Sequence, residues 1–167
     1  VPGGFGTRGT EGMILAARWA RENKIPYLGI CLGLQIATIE FARDVLNKKD
    51  GNSTEFVDNL SESDQVVVYM PEIDKENMGG TMRLGLRPTY FQNDTEWSTI
   101  KKLYGNHDSV EERHRHRYEI NPEFIEELEA KGLVFVGKDE TNKRCEILEL
   151  KNHPYYVATQ YHPEYTS

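Results

Sequence analysis

A chain of 167 residues is long enough for one domain with a substantial core. Its net charge of −7 and sequence pI near 5.3 argue against a general nucleic-acid binder, which needs a basic face. A mean hydropathy of −0.65, with no apolar run approaching ~20 residues, argues against a membrane-spanning helix.

In chain order, Thr10 is expected to cap a helix over Glu11–Asn23, with Met13, Ala16, Ala17 and Ala20 on its apolar side. Ile25–Ile30 reads as a short buried strand. Leu32–Leu46 has helical spacing through Leu34, Ala37, Phe41 and Val45. Asp50–Gln65 is polar and loop-like, Gln65–Met70 is β-rich, and Pro71–Met78 is a charged loop. Thr81–Phe91 is expected to form strands around Gly85, and Trp97–Leu103 a short helix. Arg115–Ile120 reads as extended. Pro122 opens a helix over Glu123–Lys131 that ends at Gly132. Leu133–Lys138, Arg144–Leu150 and Tyr155–Tyr161 close the chain as three strands, with a turn at Thr141-Asn142. The pattern describes a mixed α/β domain without internal repeats. The abrupt start, Val1-Pro2-Gly3-Gly4, reads as the end of a strand entering a functional loop, so upstream strands are expected to be missing.

Chemistry is concentrated at Gly29-Ile30-Cys31-Leu32-Gly33. This is G-x-C-x-G, the thiol form of a nucleophile elbow. A sharp strand-to-helix turn lifts the side chain out of the backbone, and glycines on both sides let a carbonyl approach. The following helix start offers free N–H groups that favour thiolate. The same residues also suit a buried structural cysteine after a core strand. Cys145 lies in a β-rich run and reads as a core residue. Two cysteines make no disulfide framework, and a working thiol fits a reducing, intracellular and cytoplasmic setting; no secretory signal pattern is seen. Far along the chain, Tyr161-His162-Pro163-Glu164 places a histidine and a carboxylate two residues apart, on one face of an extended segment. Glu164 is then positioned to orient the His162 ring, which would complete a nucleophile–base–orienter set with Cys31. A surface histidine beside a turn proline has the same spacing.

Together, G-x-C-x-G and the distant H-P-E resemble the class I glutamine amidotransferases. Four more motifs make the chain similar to the glutaminase domains of the CTP synthase family. These are Val1-Pro2-Gly3-Gly4-Phe5-Gly6, Asn52-Ser53-Thr54-Glu55-Phe56, Met78-Gly79-Gly80-Thr81-Met82-Arg83-Leu84-Gly85 and Glu112-Arg113-His114-Arg115-His116-Arg117-Tyr118-Glu119. The resemblance runs the length of the chain. It implies an α/β fold with a mixed, mainly parallel central sheet flanked by helices, and places residues 1–167 in one glutaminase domain of a larger two-domain enzyme.

The resemblance implies roles residue by residue. Cys31, His162 and Glu164 would be the catalytic triad. The Leu32 amide, next after the nucleophile, is also an oxyanion donor by geometry, and Gly4 would supply the other. Gln35, one helical turn beyond Cys31, would bind glutamine together with Gly4, Glu55 and Arg117, with Glu55 on the α-ammonium and Arg117 clamping the α-carboxylate. Phe5, Arg8, Thr81 and Arg83 would adjoin a site for GTP as allosteric effector. ATP, UTP and magnesium would belong to a synthase domain outside this chain, so no metal or cofactor is expected here. That domain and L-glutamine are the implied partners, with homo-oligomers formed through it, and neither nucleic acid nor membrane. Taken by themselves, Glu55 and Gln35 are ordinary solvated polar residues, and Arg113–Arg117 alternates arginines with histidines as a solvated charge run would. His114 and His116 alone are too few ligands for a zinc centre. Two other readings remain: a different amidotransferase or γ-glutamyl hydrolase, and a glutaminase-like binding module without activity.

Overall fold

Apolar residues three apart at Ile14, Ala17 and Ala20 form the buried stripe of α1 (Thr10–Asn23). The computed structural model describes residues 1–70 and 82–165. Two details of α1 differ from expectation. Its N-cap is Gly9, in left-handed backbone at φ 75°, and not Thr10, whose hydroxyl donates to the Thr7 carbonyl at 3.0 Å. Glycine takes that conformation without a Cβ clash, so the helix starts with no side-chain cap. Ala16 faces solvent, and Ile14 occupies the core instead.

After β1 (Tyr27–Ile30) the chain turns directly into α2 (Leu32–Asp44). Every residue from Leu32 to Ala42 is buried, so α2 is a core helix enclosed on all sides. It lies between α1, β1, β3 and β9. Arg21 of α1 reaches across to Glu40 at 2.8 Å and to Asp44, joining the two helices through a carboxylate that is almost wholly buried.

The remaining elements follow the expected order. They are β2 (Asn52–Ser53), β3 (Gln65–Tyr69), β4 (Arg83–Phe91), α3 (Thr99–Leu103), β5 (Ser109–His116), β6 (Tyr118–Ile120), α4 (Ile125–Ala130), β7 (Leu133–Lys138), β8 (Cys145–Leu150) and β9 (Tyr156–Thr159). Pro122 opens a single 3₁₀ turn ahead of α4. The expected strands around Gly85 are one strand, β4, which passes through Gly85 at φ 82°. The Pro71–Met78 loop, the glycine pair after it and Thr81 lie outside the described residues.

Two sheets result, in strand orders β1-β9-β8-β7-β4-β5 and β2-β3-β6. The sheet is mixed and flanked by helices, but not mainly parallel: within the larger sheet only β1 and β9 run parallel among the described strands. The cause is connection length. β7, β8 and β9 follow one another through short turns, which force antiparallel pairing, whereas β1 and β9 are far apart in sequence. This parallel pair brings the end of β1, and so Cys31, beside the end of β9, three residues before His162.

The strand-to-helix crossing is close. A Cβ built on Gly29 would lie 2.7 Å from the Gly33 carbonyl and 2.8 Å from the Ala158 Cβ. Neither neighbour is a flexible side-chain end. Gly29→Ala should therefore destabilise the protein by about 1–3 kcal/mol, as overpacking does. Gly12→Ala, on an exposed face of α1 with nothing near its Cβ, should instead stabilise by up to ~1 kcal/mol. Denaturant midpoints of the two variants check both signs.

Candidate active site

Cys31 sits at φ 53°, ψ −100°, a conformation that L-residues rarely adopt. The glycine crossing makes that turn possible, and hydrogen bonds hold it. The Cys31 amide donates to the Thr159 carbonyl at 2.7 Å, and the Ile30 amide to the Val1 carbonyl at 3.0 Å. The side chain is 3% exposed. Its sulfur has three polar neighbours: the Leu32 amide, the Arg115 carbonyl at 3.8 Å, to which the thiol donates, and the Gln160 carboxamide nitrogen at 3.7 Å, which donates to it. Burial pushes the thiol up to about 12, with the Leu32 amide opposing that shift.

His162 arrives from the other side. Its amide donates to the Arg113 carbonyl at 2.8 Å, which ties it to β5, and its Nδ1 lies 2.7 Å from Glu164 Oε1. A carboxylate at that distance fixes Nδ1 as the protonated nitrogen and leaves Nε2 with a lone pair. Tyr165 stacks on the imidazole, with ring centroids 4.5 Å apart and planes 4° from parallel. Cys31, His162 and Glu164 line one pocket of about 260 Å³, with the Pro2–Phe5 loop, Arg115 and Tyr165 completing its wall. Gly3 lies against both His162 and Cys31: a Cβ there would meet His162 Cε1 at 2.7 Å and the Cys31 Cβ at 3.5 Å.

The other expected residues divide. Gly4 is in the pocket wall, and its Cβ position faces only the Leu32 side chain, at 3.3 Å. Glu55 holds the same loop, accepting the Gly6 amide at 2.8 Å. Burial raises the Glu55 carboxyl above its usual range, and the Gly6 amide and the nearby Arg117 charge pull it back. Arg117 is half-buried, and its buried Nε has no hydrogen-bond partner among the described residues, so Glu55 and Arg117 do come together as a charged pair of sites. Gln35 lies one helical turn beyond Cys31, as expected, with its NH₂ group turned into the protein. It is 3% exposed, and its amide nitrogen is committed to the Tyr118 carbonyl and to Gln160 Oε1, each at 3.2 Å. Phe5 and Arg8 are exposed on the loop past Gly4, and Arg115 lies over the Phe5 ring at 5.7 Å. Thr81 lies outside the described residues. Arg83 points inward: its side chain is 7% exposed and faces Glu146 at 3.4 Å and Glu140 at 3.5 Å, so its guanidinium is not offered to solvent beside Arg8.

The run Arg113–Arg117 splits as strand alternation requires, with His114 and His116 buried and Arg113 and Arg115 exposed. Glu146 from β8 joins the two histidines, giving three buried groups whose ligand atoms lie within 4.8 Å of one another. This third partner was not evident from the His-x-His spacing. The internal geometry accounts for much of the cluster. His116 Nδ1 donates to the Tyr118 carbonyl at 3.0 Å, so its Nε2 accepts from His114 Nδ1, also at 3.0 Å. Burial holds both rings neutral, at about 2 for His114 and about 3 for His116, and pushes Glu146 up to about 8 against the opposing Arg83 charge. A divalent ion would have to share this carboxylate with a guanidinium.

Sequence reasoning missed three contributors. Gln160 had a readable signal, since it stands two residues before His162 on an extended segment and shares its face. Tyr165 and the pocket position of Arg115 had none, because they depend on how the chain turns after Pro163 and on where β5 meets the loop.

The whole chain, residues 1–167, matches the family model described as Glutamine amidotransferase class-I. The chain belongs to the class-I glutamine amidotransferases. Its relatives include a CTP synthase of Candida glabrata, 78% identical over all 167 residues, and CTP synthase 1 of Saccharomyces cerevisiae, 75% identical over the same span. The chain covers 29% of each of those proteins. Among solved structures, the glutaminase domain of a Trypanosoma brucei CTPS with bound acivicin superposes with a TM-score of 0.90 at 40% identity. That match covers 100% of this chain and 63% of the other.

Gly3 yields a specific test. Gly3→Ala places a methyl against the His162 ring, and on the glutaminase reading proposed below it should lower glutamine turnover about 100-fold, the scale of loss for a ~1 Å misplacement at a reacting centre. Gly4→Ala meets only a movable leucine methyl and should cost much less. Steady-state kinetics of both variants, with thermal melting to confirm folding, checks the order.

Proposed function

We propose that the chain is the glutaminase domain of a cytoplasmic CTP synthase, in which Cys31, His162 and Glu164 hydrolyse L-glutamine to glutamate and ammonia. The ammonia then passes to a synthase domain outside these residues and aminates ATP-activated UTP to CTP. The observation that carries this reading is one pocket joining a cysteine at a strained elbow to a histidine held 2.7 Å from a carboxylate. The identity to CTP synthases over the full 167 residues supports the assignment within the family.

The chemistry follows from the proton positions. The resting sulfur is a thiol, because burial disfavours its anion. As sulfur attacks the side-chain amide carbon of glutamine, its proton passes to His162 Nε2. Glu164 stabilises the imidazolium that forms. The Leu32 and Gly4 amides take the oxyanion. The imidazolium returns its proton to the departing nitrogen, ammonia leaves, and a γ-glutamyl thioester remains on Cys31. His162 then deprotonates a water that cleaves the thioester to glutamate and thiol. Glu55 and Arg117 recognise the ammonium and carboxylate of free glutamine. Gln35 contributes from beneath the site. GTP is assigned to the outer side of the glycine loop near Phe5 and Arg8, where it could adjust the Gly4 amide. Magnesium, ATP and UTP are assigned to the synthase domain, through which homo-oligomers would form.

Two outcomes test this reading. In the full-length protein, Cys31→Ala should abolish glutamine-driven CTP synthesis and spare synthesis from free ammonia; loss of both would make Cys31 a structural residue. Arg117→Ala removes a charge-assisted hydrogen-bond pair worth about 1.5–3 kcal/mol, so kcat/KM for glutamine should fall roughly 10- to 150-fold. Lysine should restore little of it, lacking the planar fork. Unchanged kinetics would move the carboxylate contact to Arg115, which lines the pocket.

A further inference from the structure

Gln160 is one of the most deeply buried polar residues, 1% exposed, and its side chain ends at the reacting sulfur. A chain of hydrogen bonds decides which way its carboxamide points. The Tyr118 carbonyl can only accept, so Gln35 must present its NH₂ group there, at 3.2 Å. The same NH₂ group reaches Gln160 Oε1 at 3.2 Å. Gln160 is therefore held with its oxygen toward Gln35 and its NH₂ toward Cys31 Sγ, at 3.7 Å. The backbone anchors its other end: the Gln160 amide donates to the Glu146 carbonyl at 2.8 Å. Tyr118 itself is held by β6 pairing with β3. Each link in this path is buried or half-buried, so the donor is aimed before any substrate arrives.

We propose that Gln160 is a further catalytic residue, a fixed N–H donor to the Cys31 sulfur that stabilises the thiolate during attack and departure, and that Gln35 is the residue that positions it. The sulfur meets two opposed neighbours. The Arg115 carbonyl accepts from the thiol and repels the anion, while the Gln160 NH₂ group favours the anion. Passing from thiol to thiolate thus exchanges one partner for the other without moving the sulfur. The charged groups around the sulfur frame the effect. Glu55 and Glu164 oppose the anion, and His162 and the Arg115 guanidinium are the titratable or cationic groups on the pocket side. His114 and His116, on the inward face of β5, are held neutral by burial. With two carboxylates near and the sulfur buried, an uncharged donor that needs no counter-ion is the economical stabiliser. The role rests on the proposed glutaminase chemistry, and it gives the Gln35 NH₂ group a part in supporting the nucleophile beside the contribution to the site proposed above.

The test is the pH dependence of Cys31 alkylation by iodoacetamide in the full-length protein, read by mass spectrometry of the Cys31 peptide, for wild type, Gln160→Met and Gln35→Met. Methionine keeps the volume and removes the donor. At every pH below the thiol's own range both variants should be alkylated about tenfold more slowly, the equivalent of an upward shift of the thiolate titration by about one pH unit, or about 1.4 kcal/mol. A variant with a merely structural defect would lose activity or melt earlier without that shift. Gln160→Glu, which keeps the shape but faces the sulfur with a carboxylate, should shift it further still. Titrations that coincide with wild type in folded Gln160→Met protein would overturn the proposal and leave the glutaminase reading intact. A wild-type protein that fails to hydrolyse glutamine would instead overturn that reading, whatever the titrations show.

Discussion

Cys31 is held at φ 53°, ψ −100°, a conformation that costs an L-residue about 1–3 kcal/mol, and much of the fold is arranged around keeping it there. Gly29 and Gly33 are the reason it can form, because a methyl at either would collide with rigid backbone. The parallel β1–β9 pair is the reason it persists, through the amide hydrogen bond from Cys31 to Thr159. Relaxing the turn would move the sulfur from the pocket it shares with His162 and from its contacts with the Leu32 amide, the Arg115 carbonyl and Gln160. Strain in one residue is therefore offset by a buried helix on one side and a buried strand on the other.

β5 is the second support. Its outward carbonyls receive the Cys31 thiol and the His162 amide, while its inward side chains, His114 and His116, form a dry polar cluster with Glu146 and Arg83. One strand thus ties the positions of Cys31 and His162 to each other. The buried guanidinium of Arg83 is better suited to holding this cluster than to gripping a ligand directly.

Much of this was legible in the sequence, for identifiable reasons. The elbow, the H-P-E segment and the flanking glycines are local features whose chemistry depends on spacing of only a few residues. The elements of the second half were legible because Pro122, Gly132 and the Thr141-Asn142 turn punctuate it. Sheet direction was not: the resemblance suggested a mainly parallel sheet, but short turns between β7, β8 and β9 impose antiparallel order on the described strands. Gln35 shows the other limit. Helical periodicity placed it one turn beyond Cys31, as observed, yet its partners come from Tyr118 and Gln160, 83 and 125 residues away. Glu146 was invisible beside the two histidines for the same reason: it comes from β8, which does not pair with β5, and only the tertiary fold brings its side chain to theirs.

The central claim is that Cys31, and no other group, forms a covalent bond to the glutamine side-chain carbon. It is tested most directly by treating the full-length protein with a glutamine-like electrophile, such as a diazo-ketone analogue, and mapping the adduct by peptide mass spectrometry. The account predicts one equivalent of label within this chain, on Cys31, with free glutamine protecting against it. Cys145, equally buried within a strand of the core, should stay unmodified. Label on Cys145, or label on Cys31 that glutamine does not slow, would contradict it.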